Sequence, residues 1–378
     1  MPTSLASLRL PLPLSLCPLT LCGCLSLWMV ASASAVDVPL GTPATFDGSF
    51  SGAEALVFAD LDGDGDPDAL AGGAGELAVW LNDGSASTWT KTSVDTGVTT
   101  PASIVAADLD GDGDVDFAAA DSGANTLSWY ENTAGDASTW TRTDVATTET
   151  GVRSVVAADL DGDGDLDLLS AAEDLERVVW WSYDAATGFS TTPQVIASSL
   201  GAARSVYPMD MDRDGDVDVL ATAGTSLLWF ENSSAGTAWT SRSIDATLNA
   251  PNVAMAHDFD GDSDLDVVLS DGGGDTVYAF ENQGSGTWVR VDIASADGPH
   301  SLGLVDLDAD GDGDLVGSAT DDDAVFWLEH PNAPWTDDWT FRDIQTSAGG
   351  ARQVATADLD RDGDLDIAAA LLTDGDLR

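Results

Sequence analysis

Seven copies of one nine-residue acidic segment constrain this chain more than any other feature. The pattern is Asp-x-Asp-x-Asp-Gly-x-x-Asp, and its copies open at Asp60, Asp108, Asp159, Asp210, Asp258, Asp306 and Asp358. Successive copies lie 48 to 52 residues apart. Self-similarity at a fixed period means that each repeat is one supersecondary unit burying its apolar faces against its neighbours. A period near 50 is too long for helix-pair solenoids and fits a four-stranded propeller blade.

Each unit has the same internal grammar. A short strand precedes the acidic segment, as in Arg153-Ser-Val-Val-Ala-Ala158, and a second follows it, as in Leu166-Asp-Leu-Leu-Ser-Ala-Ala172. A third carries Trp and often Glu-Asn, as in Trp129-Tyr-Glu-Asn132 and Trp229-Phe-Glu-Asn232. A fourth often opens on Trp-Thr, as in Trp140-Thr-Arg-Thr-Asp-Val145. Short runs rich in β-branched and aromatic residues, bounded by Gly, Asn and Asp, are strand signals, and no segment keeps a helical period. The fold expected is all-β: a seven-bladed β-propeller of four-stranded blades over residues 36–378. The seventh unit has its first two strands before the sequence stops at Arg378. Residues near 38–46 read as an orphan fourth strand, so an N-terminal strand is expected to close the last, incomplete blade and remove the open sheet edges.

The acidic segments read as metal loops. The candidate residues are Asp60, Asp62, Asp64, Asp66 and Asp68 in the first; Asp108, Asp110, Asp112, Asp114 and Asp116 in the second; and Asp159, Asp161, Asp163, Asp165 and Asp167 in the third. The fourth holds Asp210, Asp212, Asp214, Asp216 and Asp218, and the fifth Asp258, Asp260, Asp262, Asp264 and Asp266. The sixth holds Asp306, Asp308, Asp310, Asp312 and Asp314, and the seventh Asp358, Asp360, Asp362, Asp364 and Asp366. Alternate short carboxylates on a tight turn converge on one point and offer the hard oxygen ligands that suit Ca²⁺. The backbone carbonyl of position seven is expected to add another oxygen. Crowded carboxylates repel without a cation. An EF-hand would need Glu at position twelve and flanking helices; here that position is Ala71 or Ser170 and the flanks are strands. Gly at position six allows a sharp bend with positive φ. The fifth copy has Ser263 there, so its site is expected to bind Ca²⁺ most weakly.

These units resemble FG-GAP/VCBS repeats, the calcium-bearing propeller blades also found at the head of integrin α chains, over nearly the whole mature chain. The resemblance implies a seven-bladed propeller carrying up to seven structural Ca²⁺ ions. Each ion would lie between a blade's first two strands, held by side chains at positions one, three, five and nine. Members of the family include adhesion heads, calcium-dependent lectins and parts of polysaccharide lyases, so the resemblance speaks to fold and metal more than to function.

A second candidate site comes from comparing the units. Six residues before the loops stand Glu54, Ala102, Arg153, Arg204, Asn252, His300 and Arg352. On a propeller this position lies near the axial mouth, opposite the metal loops. Arg153, Arg204, His300 and Arg352 are therefore candidates for holding an anionic ligand, such as a uronic-acid or sulfated glycan, since Arg matches carboxylate and sulfate geometry bidentately. The competing reading is that these arginines pair with nearby acids or line a wet channel. The tryptophans at fixed places on third and fourth strands read as interblade packing. Trp335 lies outside the pattern and is expected to be exposed. No nucleophile arrangement is visible, and the chain is expected not to be an enzyme. A lyase using Tyr207 or His300 at the axial mouth is the rival, and a purely structural surface component the third reading.

The remaining inferences come from composition. Asp and Glu number 66 against 13 Lys and Arg, for a net charge of -53. This excludes nucleic acid as a partner and disfavours an anionic membrane surface. Residues 1–35 read as a secretory signal: Arg9, an apolar run, then Ala33-Ser34-Ala35. The cysteines, Cys17, Cys22 and Cys24, all fall within it, leaving metal as the staple of a secreted chain without disulfides. A secreted monomer without a membrane span after signal cleavage, meeting a glycan or an extracellular protein, is the expectation.

Overall fold

The computed structural model describes residues 44–284, 286–372 and 377. The signal at 1–35, the cysteines, and all but the last three residues of the expected orphan strand lie outside them. Among the described residues there are 26 strands and no helix long and apolar enough to cross a membrane.

Units one to six each form a four-stranded antiparallel sheet, with the strands paired in chain order. The seventh contributes a two-stranded sheet, Ala351–Ala357 with Asp366–Leu371. The expectation of seven four-stranded blades is thus corrected to six. Leu377 bridges Ala370 on one side and Asp47 on the other. The first strands of the seven units follow one another around a ring. Ala55–Ala59 of unit one packs against Pro101–Ala107 of unit two and against Ala351–Ala357 of unit seven.

Burial explains the composition of each strand. The second strands are apolar and small, as in Asp116-Phe-Ala-Ala-Ala-Asp121, and every residue of them is buried in units one to six. Both faces of such a strand are covered by neighbouring blades, so the alternation of a half-exposed strand is absent. The fourth strands form the outer rim, and in Trp89-Thr-Lys-Thr-Ser-Val-Asp95 the middle residues are exposed.

The core lies between blades. Leu70, Leu77 and Val79 of unit one pack with Ile104, Phe117 and Tyr130 of unit two. Phe50, Leu56 and Trp80 of unit one pack with Ala368 and Ala370 of unit seven and with Leu377. Trp80, Trp129, Trp180, Trp181, Trp229 and Trp327 are all buried, as packing requires. Trp335 is half-buried, contrary to expectation, because its indole reaches over the fifth loop and Nε1 donates to Asp260 Oδ2 at 2.8 Å.

Candidate functional site

Each acidic segment turns between the first and second strands of its unit, and one hydrogen-bond scaffold recurs in all seven. The position-one carboxylate accepts the N–H of position six: Gly65 to Asp60, Gly113 to Asp108, Gly164 to Asp159, Gly215 to Asp210, Ser263 to Asp258, Gly311 to Asp306 and Gly363 to Asp358, at 3.0–3.2 Å. The position-three carboxylate accepts the N–H of position five, as between Asp62 and Asp64. Position five accepts from position seven, as between Asp64 and Asp66. The position-six glycines have φ between 90° and 101°, and Ser263 is held at 82°. Position four is also left-handed, even where it is Arg213, Ala309 or Arg361.

These turns gather oxygens. Asp60, Asp62 and Asp68 each bring one oxygen within 4.8 Å of the others, and so do Asp159, Asp161 and Asp167, and Asp210, Asp212 and Asp218. In the second and fifth loops the trios are Asp108, Asp110 and Asp112, and Asp258, Asp260 and Asp262. Asp60 Oδ1 and Asp358 Oδ1 are buried without a hydrogen-bond partner. An all-oxygen donor set with orphaned carboxylate oxygens fits a hard divalent cation. Positions one, three, five and nine would hold it, and the ion would neutralise the crowded carboxylates.

Positions seven and nine have further roles. No position-seven side chain joins those five trios; that of Asp66 pairs with Arg361 of the seventh loop, and that of Asp312 faces His330. Position nine fastens the loop to the blade. Asp68 Oδ2 accepts Leu61 N–H at 3.0 Å, while Oδ1 accepts Asn82 N–H from the third strand at 2.8 Å. Asp167, Asp218, Asp266 and Asp314 repeat this double bond. Burial pushes these carboxyls up, to about 6 in Asp68 and Asp218 and about 7 in Asp116, Asp167, Asp266 and Asp314.

At the other end of the first strands, about 20 Å away by strand rise, the structure gathers the second set of candidates. Glu54, Ala102, Arg153, Arg204, Asn252, His300 and Arg352 all line one axial funnel of about 740 Å³. In units two to seven this residue sits where the register of the first and second strands slips, at a β-bulge. A bulge leaves its extra residue outside the ladder and re-aims it. Hydroxyls on the preceding unit's second strand hold three of these residues by their carbonyls. Thr222 Oγ1 donates to Asn252 O at 2.8 Å, Ser270 Oγ to His300 O at 3.2 Å and Ser318 Oγ to Arg352 O at 2.7 Å.

The electrostatics of the funnel are mixed. Arg153 Nε donates to Glu173 Oε2 at 2.8 Å, and Arg204 Nε stands 3.4 Å from Glu173 Oε1. Burial raises the Glu173 pKa, but the two guanidinium groups outweigh it and hold the carboxyl below its usual range. Arg352 Nε is buried without a hydrogen-bond partner. Burial, helped by Arg352, pushes His300 down to about 4. The ring is therefore neutral near pH 7, and its Nδ1–H donates to Arg352 O at 3.0 Å. The sequence reading grouped His300 with the arginines; the structure makes it a neutral hydrogen-bonding wall. Glu173 lies on the turn after the second strand, beside Arg153 across the hairpin of its own unit, and only the packing of unit four against unit three brings Arg204 to the same carboxylate.

Five stretches match the FG-GAP-like repeat model: residues 60–119, 108–170, 159–221, 258–317 and 306–369. The chain belongs to the FG-GAP-like repeat family. No curated protein sequence matches it. Among solved structures, this FG-GAP-like propeller resembles an Agrocybe aegerita lectin described for specific recognition of non-reducing terminal N-acetylglucosamine. That pair shares 16% identity over 84% of this chain and 85% of the other, with a TM-score of 0.56. It also resembles a catalytically inactive virginiamycin B lyase from Staphylococcus aureus, solved with quinupristin. There the identity is 11% over 88% of this chain and 96% of the other, with a TM-score of 0.59. At these identities the likeness is one of fold.

Proposed function

We propose that this FG-GAP-like propeller is a secreted, calcium-loaded binding module that takes an acidic glycan at its axial funnel. The observation that carries the reading is the convergence of Arg153, Arg204 and Arg352 on one funnel, with Arg352 Nε unpartnered. In a chain of net charge -53, cations gathered at one mouth favour a carboxylate or sulfate ligand, which a guanidinium receives bidentately. No nucleophile arrangement is visible in the sequence, which favours binding over turnover. Ca²⁺ in the seven loops is the staple: it neutralises the carboxylates and holds each first strand to its second.

Calorimetric titration with polygalacturonate and with a neutral N-acetylglucosamine-terminated glycan, in Ca²⁺, tests the ligand class. The acidic polymer binds in a salt-sensitive way, and replacing Arg153, Arg204 and Arg352 together by Ala abolishes it. Equal binding by that triple variant, or preference for the neutral glycan, overturns the reading. Tyr207 and His300 line the same funnel, so a lyase is the second reading. Release of unsaturated product from the polymer would favour it.

A further inference from the structure

Three departures from the repeat meet at one place. Where units one, two, four and five carry Asn82, Asn132, Asn232 and Asn282, the sixth carries His330. Position eight of the loop is Pro, Val or Leu in six copies but Gly313 in the sixth. The residue before the loop is Ala, Met or Val in six units and His257 in the fifth. His257, Gly313 and His330 all line one cleft of about 760 Å³ between units five and six, on the loop face. A Cβ on Gly313 would lie 3.1 Å from His257 Nε2, so the glycine leaves room for that ring.

We propose that this cleft binds one divalent transition-metal ion of the Zn²⁺ class, with His330, Asp312 and His257 as its donors. His330 is only 9% exposed, and neither ring nitrogen has a hydrogen-bond partner. Its plane is fixed by Phe259, stacked at 5.8 Å, and by Trp339, edge-on at 4.9 Å. Nδ1 stands 3.5 Å from Asp312 Oδ2, too far for a hydrogen bond. It is close to the spacing, about 3.4 Å, of two ligands on a tetrahedral ion with bonds near 2.1 Å. Imidazole nitrogen is a donor that Ca²⁺ does not seek and Zn²⁺ does. Asp258 and Asp260 also border the cleft and favour a cation there. The site goes beyond the seven loops, since its nitrogen donors come from the residue after a third strand and from the end of a first strand.

The test is a Zn²⁺ titration of the whole chain in saturating Ca²⁺, followed by calorimetry, with Co²⁺ absorption as a second readout of imidazole ligation. His330→Asn restores the residue used by the other repeats, and His257→Ala removes the second ring. One Zn²⁺ per chain is expected, weakened at least roughly tenfold by either substitution, with thermal unfolding in Ca²⁺ alone showing both variants folded. Zn²⁺ uptake by His330→Asn equal to that of the unsubstituted chain, or no uptake in excess Ca²⁺, overturns the proposal. If His330→Asn fails to fold, His257→Ala and the cobalt spectrum decide it.

Discussion

Asn82 Nδ2 donates to the carbonyl of Leu359 at 2.8 Å, a bond that joins the first unit to the loop of the seventh across 277 residues of chain. Asn132 makes the same bond to Leu61 O at 2.9 Å and Asn232 to Leu160 O at 3.1 Å. In each case a third-strand asparagine clasps the loop of the preceding unit. Arg361 adds an ion pair to Asp66 at the same closing interface. The ring is thus held at its seam by the clasp that its interior uses.

Asn82→Ala should therefore destabilise the chain by about 1–3 kcal/mol, the cost of leaving buried backbone groups unpaired. Asn282→Ala should cost less, because Asn282 Nδ2 bonds only within its own unit, to Leu265 O. Urea unfolding of the two variants in Ca²⁺ measures the difference. Equal losses would mean that the seam is held by packing alone.

Ser263 is the position-six residue at φ 82° that lacks glycine's freedom. Ser263→Gly should stabilise the chain by about 1 kcal/mol and tighten Ca²⁺ binding at the proposed fifth-loop site. Calcium titration followed by thermal unfolding reads both effects. An unchanged melting temperature would show that the loop absorbs the strain.

The position-nine aspartates give a pH signature to the chain held in chelator. Burial raises the folded pKa of six of them to about 6 or 7, above the usual aspartate value of 3.8. A carboxyl raised on folding contributes stability that is complete below its unfolded pKa and is lost as pH rises through the folded one. Metal-free chain should lose stability between about pH 4 and pH 7, and added Ca²⁺ should restore it at the upper end. Stability that rises across this window in chelator would show that the ionised forms are the better accommodated.

Glu173 occupies two of the three arginines in the funnel. Glu173→Gln should free Arg153 and Arg204 and tighten binding of an acidic glycan several-fold, with little effect on unfolding, since partly exposed ion pairs contribute about 0–1 kcal/mol. Weaker binding by this variant would mean that Glu173 positions the arginines instead of competing for them.

Ser318→Ala removes the hydroxyl that holds the Arg352 carbonyl. A loss of about 1 kcal/mol in stability is expected, with weaker glycan binding by Arg352. Undiminished affinity would show that the bulge alone presents the side chain.

The acidic loop was legible in full because it is local. Nine consecutive residues contain the carboxylates, the turn and the glycine, and seven repetitions fixed the period, the strand order and hence the class of fold. The family membership rests on the same segments. The place of the funnel residues was also readable, since a position repeated in seven units must recur around one axis.

Tertiary structure decided what depends on contacts between units. That His300 is neutral follows from its burial beside Arg352, and that two arginines are engaged follows from Glu173, twenty residues from Arg153 in sequence but 2.8 Å away in space. The β-bulges that turn each axial residue out of the ladder leave no mark in composition. Nor does the clasp of Asn82 on Leu359, because a hydrogen bond between distant units is set by how blades pack around the ring. The sequence by itself determined the unit and its acidic loop, since both are built from neighbours along the chain. Only the closed ring decided which of those units share a charge, a clasp or a cleft.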